Sequence, residues 1–254
     1  MHQLIKELKE LKLSGMAQCL EEQIKTPINQ NLTFEERFSL LVNHELTLKK
    51  NRKIRRLLKA SNLKLGFRLE DMEFDEKRGL ARSQFLNLLR LDFIKTYQNV
   101  IITGATGCGK THLACAIGNK ACIDGYKVKF IKLPTFLEEI QLSHKTGNFI
   151  KTLQTLLQFD ILILDDLGIT SIDKLQLHDL FNIIDERYKT KSTIITSQLP
   201  IKEWHGYLGD PTIADAILDR LLSQTNRIEL LGKSLRWKEN KNNENSIEAN
   251  EIKK

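Results

Sequence analysis

"NVIITGATGCGKTHLACAIG", residues 99–118, joins two apolar runs through three glycines, a lysine and a threonine. The first run, "NVIIT" (99–103), is short and β-branched, which predicts a buried strand. The second, "THLACAIGNKACI" (111–123), sets Leu113, Ala116, Ile117 and Ala121 on one helical face. Between them stands G-x-x-x-x-G-K-T, from Gly104 to Thr111. In a strand–loop–helix setting this spacing is a phosphate cradle, because backbone N–H groups converge on the anion and only glycine permits that approach. The candidate nucleotide-binding residues are therefore Gly104, Ala105, Thr106, Gly107, Cys108, Gly109, Lys110 and Thr111. Lys110 suits the β- and γ-phosphates, and the Thr111 hydroxyl suits Mg²⁺.

Downstream, strands and helices alternate. "KVKFI" (127–131), "DILILD" (160–165), "STIITS" (192–197) and "NRIELL" (226–231) read as strands. Helices are expected over 109–124, within 134–158, and over 174–189 and 211–223. Five short apolar runs joined by helices predict a parallel α/β sheet. Pro211 after Asp210 reads as a helix first turn behind an acidic cap.

"ILILDDLG" (161–168) closes an apolar strand on two acids. Asp165 suits a carboxylate that holds Mg²⁺, and Asp166 one that accepts a proton from an attacking water. "TIITSQLP" (193–200) ends a strand in Ser197 and Gln198, beside the expected γ-phosphate. In "ADAILDRLLSQ" (214–224), Arg220 fits either a helix-surface ion pair or a finger reaching a neighbouring subunit's nucleotide.

The charge is unevenly placed. Residues 1–98 carry 19 Lys/Arg against 13 Asp/Glu, and residues 99–254 carry 20 against 19, so the excess of +7 lies almost wholly upstream. "KKNRKIRRLLK" (49–59) holds seven basic residues and no acid. At helical spacing Lys49, Arg52, Lys53, Arg56 and Lys59 share a face, with Ile54, Leu57 and Leu58 opposite. Uncompensated like charge favours a polyanion, which makes this face the candidate DNA-binding surface.

The upstream part reads as helical: about 2–12, then 15–25 ended by Pro27, then a longer helix from Thr33. There "TFEER" outlines a capping box with Glu36. Residues 62–80 read as a connector, and 81–98 as a helix leading into the first strand. The polar tail, 238–254, reads as disordered. No run approaches a membrane span, "MHQLIKELKELKL" is an amphipathic helix instead of a leader, and the four cysteines lack C-x-x-C or metal spacing. A cytoplasmic protein with no membrane partner is expected.

Together, "LKLSGMAQCLEEQ" (11–23), "TFEERFSLL" (33–41), "GATGCGKTHLA" (104–114), "ILILDDLG", "TSQLPIKEW" (196–204), "GDPTIADAILDRLL" (209–222) and "GKSLRWK" (232–238) resemble the IstB/DnaC group of AAA+ ATPases. Within that group the match, over roughly 4–237, is closest to the IstB-like ATP-binding helpers of insertion-sequence transposition. The resemblance implies an AAA+ P-loop sheet flanked by helices over 81–237, preceded by a small all-helical basic domain over 1–80. It implies ATP hydrolysis with Mg²⁺ by a homo-oligomer on double-stranded DNA, alongside the transposase of the same element. It also implies Lys110, Asp166, Gln198 and Arg220 as the catalytic set, with Arg220 acting in trans. Gln198 stands where the family usually has asparagine, and Asp166 where many members have glutamate. No helical lid is expected after the last strand, and Arg236 is the candidate for a second sensor. A DnaC-like loader of a replicative helicase is the alternative; a small-molecule kinase is disfavoured by the paired acids and the basic helical segment, and an ATP-driven assembly switch stays open.

Overall fold

The computed structural model describes residues 2–25, 32–64, 66 and 79–232. The sequence readings that fall on the 238–254 tail, on Arg236, on Pro27 and on most of the 62–80 connector lie outside them. The chain divides into two compact units, Met1–Arg56 and Leu57–Lys254.

The first unit contains α1 (His2–Glu10), α2 (Ser14–Lys25) and the start of α3 (Phe34–Ser61). The capping box forms as expected: the Thr33 amide donates to Glu36 Oε2 at 2.8 Å and the Glu36 amide to Thr33 Oγ1 at 3.3 Å. From there α3 runs unbroken for 28 residues, so the basic stretch continues this helix and is not a separate one. Neither glycine nor proline interrupts it. The N-terminus of α2 is capped from a distance by Glu45, whose Oε2 accepts from the Gly15 amide at 2.6 Å and the Met16 amide at 3.1 Å. A Cβ at residue 15 would lie 2.8 Å from the Glu45 Cα, so glycine allows this approach.

The second unit carries five parallel strands: β1 (Asn99–Gly104), β2 (Val128–Lys132), β3 (Ile161–Leu167), β4 (Ser192–Ser197) and β5 (Thr225–Leu230). Their spatial order is β2-β3-β4-β1-β5. Successive side chains alternate faces along a strand. Val100, Ile102, Ile161, Ile163 and Ile194 accordingly enter one core, while Ile101, Leu162, Leu164 and Ile195 enter the other. The first core is closed by α4 (Arg82–Arg90), α5 (Asp92–Lys95) and α6 (Lys110–Ile123). The second is closed by α7 (Leu133–Lys145), α8 (Phe149–Leu157), α9 (Lys174–Arg187), α10 (Trp204–Leu208) and α11 (Pro211–Leu222). Asp210 caps α11 by accepting from the Ile213 amide at 3.1 Å.

Two boundaries differ from expectation. The single helix read over 81–98 is broken at Leu91, which sits at φ 57 and separates α4 from α5. Leu91 is only 1% exposed, so its burial in the core compensates a left-handed conformation that local preference disfavours. The division between units falls after Arg56 instead of near residue 80, because Leu57, Leu58 and Leu63 pack into the first core of the sheet.

Candidate nucleotide site

β1 delivers the chain to Gly104, at φ 145, where a Cβ would lie 2.2 Å from the Leu230 carbonyl oxygen of β5. The loop turns through Gly107 (φ 80) and enters α6 from Gly109 (φ 101). Lys110, the first residue of α6, curls back, and its Nζ donates to the carbonyls of Gly104 at 2.7 Å and Ala105 at 2.9 Å. The residue is 6% exposed, and among the described residues no carboxylate lies within ion-pair distance of its ammonium. A buried cation held by carbonyl dipoles, beside the positive end of a helix, is suited to an anion.

Thr111 follows and donates to Asp165, at 2.9 Å to Oδ1 and 3.1 Å to Oδ2. Asp165 is 1% exposed, and burial raises its carboxyl above the ordinary carboxylate range, with neighbouring Asp166 adding to the rise and the Thr196 and Thr111 hydroxyls opposing it. A buried carboxylate beside a hydroxyl is a hard-oxygen pair that fits Mg²⁺, which takes few protein ligands and fills the rest of its octahedron with water and phosphate oxygens.

The two acids lie in a register irregularity. Leu164 pairs with Ile195 and Leu167 with Ser197, so Asp165 and Asp166 oppose the single residue Thr196. Asp166 adopts φ 70, its amide donates to Thr196 Oγ1 at 3.1 Å, and its carboxylate lies 4.0 Å from Lys132 Nζ at the end of β2. Successive acids on a regular strand would point to opposite faces; a bulge re-aims them.

Of the remaining candidates, Gln198 comes to the loop, its Oε1 accepting from Thr106 Oγ1 at 2.7 Å. Ser197 does not: it is fully buried, donates to the Leu167 carbonyl at 2.7 Å and accepts from the Leu199 amide at 3.0 Å. Arg220 lies elsewhere. The Asn99 side chain holds the carbonyls of Arg220 and Leu221 at 3.2 and 3.3 Å, at the opposite end of β1 from Gly104. Five strand steps separate those ends, roughly 16 Å at about 3.3 Å per residue. The Arg220 guanidinium bonds Asp185, donates to the Ala216 carbonyl at 3.0 Å and lies 4.9 Å over the Phe181 ring.

In the first unit, Lys49, Arg52, Lys53 and Arg56 are all exposed on α3; Lys59, further along the same helix, is exposed as well. Lys49 lies 3.5 Å from Glu45 Oε1, and Arg52 donates to Ser14 Oγ at 2.6 Å.

The reading of the sequence overlooked Thr196, Lys132 and Asp185. A threonine in a β-branched run is ordinary strand composition, and nothing in "STIITS" signals that its penultimate member faces two acids. Four of the six residues of that strand carry hydroxyls, so the Thr196 hydroxyl does not stand out.

A central β1 between β4 and β5, a glycine loop opening α6 and acids at the end of β3 define a P-loop domain of the AAA+ type. Among solved structures, AMPPCP-bound DnaA from Aquifex aeolicus superposes with a TM-score of 0.57 at 24% identity, covering 68% of this chain and 53% of that one. The DnaC helicase loader gives 0.54 at 22% identity, covering 66% of this chain and 98% of that one. A Sinorhizobium fredii protein described as a "putative insertion sequence ATP-binding protein" is 38% identical over 235 residues, 92% of this chain and 96% of its own. The family model "IstB-like ATP binding protein" matches residues 6–243, and the chain belongs to that family.

Proposed function

We propose that the chain is a DNA-binding ATPase of insertion-sequence transposition, hydrolysing ATP with Mg²⁺ as a homo-oligomer on double-stranded DNA beside a partner transposase. The observation that carries the nucleotide chemistry is the buried Lys110 ammonium, offered to an anion at the mouth of a glycine loop, with paired acids on a nearby strand end. The transposition context rests on the insertion-sequence description of a relative 38% identical over almost its whole length. The proposed location is the cytoplasm; among the described residues no helix is long and apolar enough to cross a membrane.

In this reading Lys110 leaves the Gly104 and Ala105 carbonyls to neutralise the β- and γ-phosphates. Thr111 and Asp165 hold Mg²⁺, which when bound offsets charge on the phosphate oxygens. Asp166 accepts the proton of the attacking water, and Gln198, already at the loop through Thr106, orients that water. Arg220 serves the nucleotide of an adjacent subunit.

Asp166→Asn separates binding from chemistry. The variant is expected to bind ATP as the parent does and to lose turnover by roughly 10²–10⁴-fold, the usual contribution of a positioned base. Loss of Mg²⁺-dependent binding with hydrolysis per bound ATP retained would mean that the roles of the two acids are reversed.

The basic face of α3 supports the DNA reading. Replacing Arg52, Lys53 and Arg56 with glutamine keeps helix propensity and leaves Ile54, Leu57 and Leu58 untouched. Each lost phosphate contact is expected to reduce the slope of log affinity against log salt by about 0.9 on duplex DNA. The loss should be equal for unrelated sequences, because phosphates carry no base identity. Parental affinity and slope in the triple variant would leave the stripe as a solvated face or a protein-docking surface.

A second reading keeps the same ATPase core and takes a replicative helicase as the partner; the likeness to the DnaC helicase loader, at 22% identity, extends to the fold. Measuring assembly mass with ATP, with and without duplex DNA, tests the leading reading: DNA-dependent growth of the oligomer is expected, and assembly indifferent to DNA argues against it.

A further inference from the structure

Thr196 is fully buried, and its hydroxyl makes two bonds that meet at the paired acids. It donates to Asp165 Oδ1 at 2.5 Å and accepts from the Asp166 amide at 3.1 Å. A hydroxyl has one proton to give and lone pairs to receive, so both bonds form at once. The same Asp165 carboxylate also accepts from the Thr111 hydroxyl. The result is a continuous chain: Asp166 amide, Thr196 hydroxyl, Asp165 carboxylate, Thr111 hydroxyl.

Topology explains why one residue serves two acids. In the irregular stretch of the β3–β4 ladder, Thr196 is the single β4 residue opposite Asp165 and Asp166. An extra residue in a bulge loses its ladder partner. The Thr196 side chain satisfies the Asp166 amide that the ladder leaves out, while Asp166 occupies a left-handed conformation at φ 70. That conformation is uncommon for a residue with a Cβ and persists only when its surroundings hold it. Thr196 supplies part of that hold.

We propose that Thr196 is the positioning residue of the site: its hydroxyl orients the Asp165 carboxylate toward the metal and, through the Asp166 amide, sets the direction of the Asp166 carboxylate. Thr196 touches neither phosphate nor water in this scheme and acts only through the two acids. The inference rests on the ATPase reading above.

The test compares Thr196→Val, Thr196→Ala and Thr196→Ser in the full chain. Valine keeps the shape and removes the hydroxyl; serine keeps the hydroxyl and removes a methyl group. Two quantities are read: the Mg²⁺ concentration that half-saturates tight binding of a fluorescent ATP analogue, and the turnover number. Binding of the analogue without Mg²⁺ reports that the site is folded. For the valine variant, metal-free binding is expected to match the parent. Its Mg²⁺ half-saturation should rise and its turnover fall by roughly 10–100-fold, the usual effect of removing a residue that orients a metal ligand. Serine is expected to restore both to within a few-fold of the parent. Parental Mg²⁺ dependence and turnover in the valine variant would overturn the proposal, as would serine as impaired as valine, since packing alone would then be responsible. Should valine abolish metal-free binding, alanine takes its place against serine, with the same two outcomes deciding. A parent chain that binds ATP without turning it over defeats the ATPase reading instead, and the Mg²⁺ shift still decides the role of Thr196.

Discussion

Lys110→Ala is expected to abolish tight ATP binding while the chain stays folded. The ammonium lies between the Gly104 and Ala105 carbonyls, at 2.7 and 2.9 Å, inside a loop with no other lysine or arginine. Removing one partner of a desolvated charge pair costs roughly 2–5 kcal/mol. That corresponds to an affinity loss on the order of 30-fold or more, since about 1.4 kcal/mol is tenfold. Stability should change far less, because the parent Lys110 is itself a buried cation without a carboxylate partner among the described residues. Equilibrium binding of a fluorescent ATP analogue measures the first effect and thermal unfolding the second. Undiminished nucleotide affinity in a folded variant would remove the phosphate-loop assignment and, with it, the ATPase proposal.

Arg220→Ala carries the other large expected effect: ATP binding by an isolated subunit near the parent's, with turnover reduced on the order of 10³-fold. The geometry narrows what Arg220 can do. Its carbonyl is tied to Asn99 at the far end of β1, roughly 16 Å from Gly104 by strand rise, beyond the reach of an arginine side chain. A catalytic Arg220 therefore has to act on a different subunit. The bond to Asp185 holds the guanidinium in the meantime, at little cost to release, since Asp185 is 45% exposed and such pairs contribute about 0–1 kcal/mol. Mixing Arg220→Ala with Lys110→Ala subunits should restore part of the activity, because one shared interface can combine an intact loop with an intact arginine. Verified co-assembly without any recovery would make Arg220 a structural ion pair on the surface of its own subunit.

Much of this site is legible one segment at a time, because its signals are local. Glycines at 104, 107 and 109 all adopt positive φ, and their spacing to Lys110 and Thr111 is set by a single turn. The strand runs are β-branched and short, and all five form within a residue or two of where the pattern puts them. The Thr33–Glu36 box and the Asp210 cap are likewise contacts between residues three apart. In each case the interaction energy and the sequence signal lie in the same few residues.

What the tertiary structure decided was every relation across strands. Hydrophobic periodicity shows that 161–165 and 192–197 are strands, but not that Thr196 faces a bulge holding both acids. That follows from ladder register, which depends on two segments 30 residues apart. Ser197 and Gln198 are adjacent and both polar, yet one turns inward to brace Leu167 while the other meets Thr106, because Ser197 closes β4 and Gln198 lies just past its end, outside the ladder. Leu91 leaves the helical pattern because core packing favours its buried position over its backbone preference. Residue chemistry and short spacing were thus determined by the sequence alone, whereas the direction of each side chain depended on partners that only folding brings within hydrogen-bond distance.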